Sequence, residues 1–404
     1  MDTLQPTTID ELRDAVAQAI SAKRSLEVRG GGSKRDIGRP TNSGAVLALD
    51  RLAGVLAYEP AELVLTANAG TPLGEVERLL ADNKQMLAFE PPDWSRLLGS
   101  NGAAPTLGGA LGCNLAGPRR IKIGAARDHF LGFNGVSGHG DIFKAGGKVV
   151  KNVTGYDVSK LMAGSYGTLA ALAEVTVKVM PRPEESRTLL IMGLTDERAI
   201  AALADGLNSP HEVSGAAHLP ATVAAASGVG AVAGAGASVA ALRVEGPGTS
   251  VAFRVEELRQ MFASRAPVAV IEGDESQRLW REIADVRLLP IDGRAVWRIS
   301  VPPASGPATF AAVARTTEAT GFYDWGGGLL WAAVPETGEA AARGVRAAVG
   351  GNGHATLIRA PDAVRATVPV FEPLPAALAA LTRRVKESFD PQRIFNPGRM
   401  YPDV

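Results

Sequence analysis

The feature that most constrains this chain is a series of glycine-dense loops early in its sequence: RGGGSK (29–34), NAGT (68–71), PTLGGALGCNLAG (105–117) and VTGYDVSKLMAGSYGTL (153–169). Consecutive glycines cost backbone entropy, so a folded protein keeps them where the chain turns sharply or lies close against a ligand. Amide N–H groups left unobstructed in such a turn form a nest for an anion. RGGGSK alone is equally readable as a plain tight turn. Four such loops in one domain point to one extended ligand.

Composition narrows the partner. The 404 residues, 46% of them hydrophobic, suffice for a large core and suggest two or three domains. Forty-two basic residues balance 42 acidic ones, so no net field favours a nucleic acid. The single cysteine, Cys113, excludes an internal disulfide, a thiolate zinc site and any iron–sulfur cluster held wholly by this chain. That usage fits a reducing cytoplasm. The amino-terminal stretch MDTLQPTTIDELRDAV has early acids and no apolar core, unlike a signal peptide. No charged residue occurs between Glu212 and Arg243, but the stretch is mostly Ala and Gly with Pro220 inside. It is too weakly apolar to span a membrane and is expected to be a loosely structured insert.

Elements follow from pattern. Thr8 with Glu11 reads as a capping box ahead of a helix carrying Leu12, Val16 and Ile20. Strands are expected at SLEV, AVLALD, ELVLTANAG and over 130–136 turning at SGHG into 141–144, and Thr71 and Pro72 read as N-cap and N1 of a helix carrying Leu73, Val76 and Leu80. LAALAEVTVKVMPRPEE is a strand that stops at Pro181 and Pro183, the first domain boundary. Beyond it, strands TLLIMG, AALRVEG, VWRISV and GGLLWAAV alternate with helical stretches, an α+β pattern of a sheet with helices on one face. The tail, LAALTRRVKESFDPQRIFNPGRM, is an amphipathic helix and an ordered turn, expected to dock back onto the protein.

Familiar fingerprints fail. Gly147-Lys148 is followed by Val149, which offers no oxygen to Mg²⁺ as a P-loop requires. Gly228, Gly230 and Ala233 match G-x-G-x-x-A with Glu245 downstream, yet no β run precedes them, so a nicotinamide site is not expected. The five histidines (His129, His139, His211, His218, His354) form no ligand pair and read as surface or loop residues, no metal is expected, and no G-x-S-x-G elbow is present. Cys113 reads as a small packed side chain rather than a reactive thiol.

The four loops, in this order, resemble the FAD-binding domain of the vanillyl-alcohol oxidase and p-cresol methylhydroxylase type. The run LGFNGVSGHGDIFKAGGKVVKNVTGYDVSKLMAGSYGTL with the closing FDPQRIFNPGR is similar to the FAD-binding E subunits of bacterial glycolate oxidases. The likeness covers residues 1–185 and the tail. It implies an α+β fold: a two-part FAD-binding domain over 1–183, divided near 65, an α+β cap over 184–372, and a carboxy-terminal segment over 373–404 that docks on the FAD domain. Within it, the resemblance assigns to the cofactor Arg29, Gly30, Gly31, Gly32, Ser33 and Lys34 at the pyrophosphate. Along the pyrophosphate and isoalloxazine it assigns Pro105, Thr106, Gly108, Gly109, Gly112, Asn114 and Gly117. Closing over the flavin and adenosine it assigns Gly155, Tyr156, Asp157, Gly164, Gly167, Thr168 and Leu169.

Two departures from the family bear on chemistry. Relatives that attach flavin covalently often have His after the glycines, where this chain has Ser33, or Cys before the third loop, where it has Ala103 and Ala104; FAD is therefore expected to be noncovalent. Relatives acting on D-2-hydroxy acids carry His-rich and acidic cap motifs, where this chain has DWGGGLLWAAV and GGNGHATLIRAP. Oxidising a 2-hydroxy acid calls for a base at the hydroxyl and a cation at the carboxylate. Tyr156, His354 and Arg359 are the candidates, and no pair stands out by spacing.

The resemblance implies an FAD-dependent oxidoreductase subunit supporting oxidation of glycolate to glyoxylate. Its partners would be a larger FAD-binding subunit and an iron–sulfur subunit that receives the electrons. The assembly would be a cytoplasmic hetero-oligomer, with any contact with the inner membrane made through partners. Two alternatives stay open: an autonomous FAD-dependent D-2-hydroxy acid dehydrogenase, and a flavin-free structural subunit.

Overall fold

The computed structural model describes residues 2–100, 102–147, 155–335 and 338–404. Lys148, Val149, Val153 and Thr154, which the sequence reading touched, lie outside the described residues. The chain forms two compact units: Met1–Ala116 with Gly124–Arg182 and Pro373–Val404, and Gly117–Ile123 with Pro183–Glu372.

The first unit opens with three parallel strands, β1 (Asp2–Leu4), β2 (Leu26–Arg29) and β3 (Ala45–Ala48), in the order β1-β3-β2. Helix Ile9–Ser21 precedes β2; Thr8 caps it by accepting from Glu11 N, while the Glu11 carboxylate reaches back to Thr7. Its Leu12 and Val16 are buried with Leu26, Leu47 and Phe395. Because β2 and β3 run in parallel, the triple-glycine loop emerges at the carboxyl ends of the strands, the usual ligand-bearing edge.

The remaining strands of this unit are β4 (Val55–Glu59), β5 (Val64–Asn68), β6 (Gln85–Met86), β7 (Phe130–Ser137), β8 (Ile142–Gly146), β9 (Ala170–Lys178) and β10 (Met180–Pro181). Five form an antiparallel sheet, β4-β5-β9-β7-β8, and β6 pairs with β10. Leu73, Val76 and Leu80 of helix Leu73–Asp82 share a core with Leu65, Val175 and Val177, and Leu107 and Leu111 of the short helix Leu107–Gly112 complete it. Thr71 does not cap the helix as expected. Pro72 occupies that position, and the buried Thr71 hydroxyl bonds Asn68 O and the Gly54 amide, because it is needed to close the NAGT turn.

The second unit is built on one antiparallel sheet of eight strands: β11 (Glu185–Met192), β12 (Gly215–Leu219), β13 (Val239–Gly246), β14 (Val268–Glu272), β15 (Ala295–Ser300), β16 (Thr320–Asp324), β17 (Leu329–Val334) and β18 (His354–Arg359). Their order is β14-β11-β13-β12-β16-β17-β15-β18. The expected loose insert is thereby corrected. It contains β12, an interior strand whose Ala216 and Ala217 are fully buried, and it runs into β13, where a strand was expected at AALRVEG. Small side chains give a weak strand signal in sequence, yet they suit strands packed over on both faces.

The polypeptide returns to the first unit through helix Ala376–Phe389 and a turn in which Arg393, Asn396 and Gly398 have positive φ. Leu26 N donates to Ile394 O and Asn396 N to Leu26 O, so the tail adds an extended segment beside β2.

Candidate cofactor site

A cleft in the first unit runs from the carboxyl end of β2 to the loop before β9. Its polar end is the loop 30–34. Among the described residues, none of the amide N–H groups of Gly30, Gly31, Gly32, Ser33 and Lys34 has a protein acceptor, although the side chains of Ser33 and Lys34 are buried. The half-buried Gly30–Gly32 line the cleft with unobstructed backbone, so this row of donors is suited to an anionic ligand. Lys34 strengthens the point. Its Nζ bonds Ser33 Oγ at 3.1 Å, and no carboxylate among the described residues lies within ion-pair distance. Burial pushes the Lys34 ammonium below its ordinary pKa, with Cys113 and Asp93 opposing. A ligand phosphate would offset that desolvation.

Close approach explains the glycines. A Cβ on Gly31 would lie 2.1 Å from Ala104 O, and one on Gly30 2.3 Å from Thr106 Oγ1, so the bare backbone of the first loop packs against Ala104 and the Thr106 side chain. Gly32 has φ +84°. A Cβ on Gly112, by contrast, would meet no protein atom within 4 Å; the space in front of it belongs to the cleft. Thr106 caps helix Leu107–Gly112 by accepting from Gly109 N.

The third wall is Ser165, Tyr166 and Gly167. Tyr166 has φ +53°, an outlier for a bulky residue, held by Tyr166 N donating to Gly112 O at 2.9 Å and by Asn396 Nδ2 donating to Tyr166 O at 2.9 Å. Val28, Leu49, Ala69, Ala170 and Leu172 supply the apolar lining.

Of the residues expected from sequence, Arg29, Gly30, Gly31, Gly32, Ser33, Lys34, Thr106, Gly108, Gly109, Gly112 and Gly167 line this cleft. Others take supporting positions. Pro105 O accepts from Leu73 N, Asn114 Oδ1 accepts from Arg127 N, Thr168 O accepts from Lys386, and Leu169 is in the hydrophobic core. Gly117 belongs to the second unit, where its carbonyl accepts from Trp325 Nε1. Gly164 turns the chain with φ +82°, Gly155 is exposed, Tyr156 is 94% exposed, and Asp157 caps helix Val158–Met162.

Tyr156 is on the first unit, whereas His354 and Arg359 stand at opposite ends of β18 on the second. Five residues of strand put these two roughly 17 Å apart, and the bulge that shifts the register between Leu357 and Arg359 leaves both on one face of the sheet, paired with Ser300 and Val296. Desolvation, then Arg298 and Arg120, lower the His354 pKa.

The histidine expectation needs correcting. His218 is fully buried in β12, with Nε2 2.9 Å from Asp196 Oδ1, and Tyr323 donates to the other Asp196 oxygen at 2.6 Å. His129 is also buried, against Phe89. Glu245, the acid of the rejected dinucleotide pattern, is engaged by Arg119, Arg243 and Ser214.

Among the cleft residues that escaped the sequence reading as ligand contacts are Cys113, Tyr166 and Arg399. Cys113 directly follows Gly112, and Tyr166 precedes Gly167, so adjacency was a usable signal. Arg399 gave only the ordered look of its NPGR turn.

Comparison with known proteins assigns the ligand class. Residues 3–146 match the FAD binding domain family. The fold is that of 4-ethylphenol oxidase from Gulosibacter chungangensis (TM-score 0.74, 15% identity, 99% of this chain and 88% of that one). It is equally that of p-cresol methylhydroxylase (TM-score 0.71, 14% identity, 98% and 88%). The protein is thus an FAD-linked oxidoreductase with the vanillyl-alcohol oxidase type of architecture. Across 396 residues, 97% of each chain, it is 33% identical to glycolate oxidase subunit GlcE of Escherichia coli K12. The chain belongs to the GlcE family of glycolate oxidase subunits. It is also 32% identical over 203 residues, half of this chain and 42% of the relative, to glycolate oxidase subunit GlcD of Bacillus subtilis. Among the described residues no helix is long and apolar enough to cross a membrane, and no group of three or more His, Cys, Asp or Glu is placed to hold a metal.

Proposed function

We propose that this chain is the noncovalent FAD-holding subunit of a multi-subunit glycolate oxidase, supporting oxidation of glycolate to glyoxylate. The observation that carries the reading is the row of acceptor-free amides at 30–34 above the buried Lys34. This loop would hold the pyrophosphate by charge-assisted hydrogen bonds. Gly108, Gly109 and Gly112 would let the cofactor lie against backbone, and Val28, Leu49, Ala69 and Leu172 would shield its apolar surface from water. When bound, FAD supplies the two-electron acceptor, and the protein supplies placement and electrostatics. Noncovalent attachment is supported by Ser33 after the glycines and by the state of Cys113. Burial raises the Cys113 pKa against the opposing charges of Arg399 and Lys34, so the thiolate that would attack a flavin is scarce.

A subunit role is favoured by the placement of His354 and Arg359 at opposite ends of β18, where they supply no adjacent base and cation. The group that deprotonates glycolate is then contributed by a larger FAD-binding subunit, and an iron–sulfur subunit takes the electrons onward. The complex would be cytoplasmic, meeting the inner membrane through its partners. Anaerobic addition of glycolate tests this. The flavin absorbance of the isolated chain should persist, and that of the chain co-purified with its partners should bleach. Bleaching of the isolated chain would make it an autonomous dehydrogenase.

A further inference from the structure

We infer that the carboxy-terminal turn is a working part of the cofactor site, with Asn396 and Arg399 as positioning residues, so that FAD binding and docking of residues 394–404 are one coupled equilibrium. The inference rests on the cofactor reading above and adds what holds the cleft in shape.

Asn396 is fully buried and joins two walls of the cleft. Its Oδ1 accepts from Val28 N at 3.0 Å, and its Nδ2 donates to Val28 O at 3.4 Å, Tyr166 O at 2.9 Å and Gly167 O at 3.2 Å. Val28 is separated from the triple glycine by Arg29 alone, and Tyr166 and Gly167 line the same cleft. One side chain therefore sets the spacing between the strand that launches the anion loop and the loop opposite.

Arg399 acts on the anion loop itself. Its Nη2 donates to Lys34 O at 2.8 Å and Arg35 O at 3.4 Å, and its Nε to Ile37 O at 3.1 Å, while Arg39 N donates to Arg399 O at 2.8 Å. Gathering those carbonyls on the guanidinium fixes the backbone over Lys34–Ile37, the segment that closes the anion loop. Arg399 lines the cleft and is 7% exposed, and both it and Lys34 act on the Cys113 thiol. Two buried cations thus share one wall. A dinucleotide pyrophosphate, with two negative charges, would offset the desolvation of Lys34 on that wall. A ligand that favours the docked tail is in turn bound better by it, since coupling between two sites is reciprocal.

The test is amide hydrogen exchange of residues 394–404 in the full chain, with the apo protein compared against FAD, ADP and riboflavin. FAD and ADP, which carry the pyrophosphate, should slow exchange of this segment by about tenfold or more, and riboflavin should not. Arg399→Gln should raise the Kd for FAD by roughly ten- to a hundredfold, as loss of a charge-assisted contact does, and Arg399→Lys should recover part of it. Should the Gln variant fail to fold, the wild-type exchange comparison and the Lys variant carry the test. FAD binding that leaves exchange of 394–404 unchanged would overturn the inference while sparing the cofactor reading. Wild-type protein that takes up no FAD would overturn both.

Discussion

Lys386 and Asp390 form an ion pair of 2.7 Å in which both side chains are fully buried. Lys386 Nζ also donates to Thr168 O and Phe395 O, and Asp390 accepts from Ile394 N and Phe395 N, so every charge-bearing atom has a backbone partner from the closing turn or from the segment before β9. Breaking a buried pair from one side strands the other charge. Lys386→Met should therefore destabilise the first unit by roughly 3–5 kcal/mol in chemical denaturation, and Lys386→Met with Asp390→Asn should cost less than the single change.

Two glycines of the cleft should respond differently to one methyl group. Gly31→Ala places Cβ against Ala104 O, backbone against backbone, and should cost at least about 1–3 kcal/mol of stability along with FAD. Gly112→Ala meets no protein atom and should melt like the wild type while binding FAD at least about tenfold more weakly. Thermal melts and FAD titration of both variants separate a packing role from a ligand-facing one.

Cys113 provides a chemical probe. Burial raises its pKa above the ordinary 9.0, so alkylation by iodoacetamide should be slow at neutral pH and should still be accelerating beyond pH 9. Bound FAD should slow it further, because the thiol lines the cleft. Equal rates with and without FAD would place the cofactor elsewhere.

The second unit should carry an acid-labile contribution centred on Glu245. Burial alone would raise its pKa; the charge of Arg243, the Arg119 fork at 2.7 and 2.9 Å and the Ser214 hydroxyl at 2.6 Å overcome that and bring it to about 2. The folded value lies below the ordinary 4.5, so the stabilisation is complete above about pH 4.5 and is lost as pH falls towards 2. It amounts to about 3 kcal/mol. The difference in unfolding free energy between wild type and Glu245→Gln should shrink over that interval; a pH-independent difference would contradict the assignment.

How much was legible in the sequence depended on range. The Gly30–Gly32 loop declares itself because only residues without a Cβ tolerate Ala104 O and Thr106 Oγ1 so close. Such local signals gave a mixed α and β pattern and one extended ligand, and the resemblance to the vanillyl-alcohol oxidase and p-cresol methylhydroxylase type named that ligand as FAD. Arg399 was invisible as a cleft residue because its partners, Lys34 and Ile37, are more than 360 positions away in sequence. The Ala- and Gly-rich stretch was misread for a different reason. β12 is specified by neighbours that bury it, and small side chains alone carry little preference for strand over loop. Thr71 was misassigned because a hydroxyl before a helix serves a turn as readily as a cap.

The central claim is that the cleft holds FAD without a covalent bond. An absorbance spectrum of the chain purified alone, followed by acid precipitation, tests it most directly. The account predicts flavin bands and a yellow supernatant above a colourless pellet. Yellow retained in the pellet would contradict the noncovalent assignment and point to Cys113, and a colourless protein that also takes up no added FAD would contradict the claim outright.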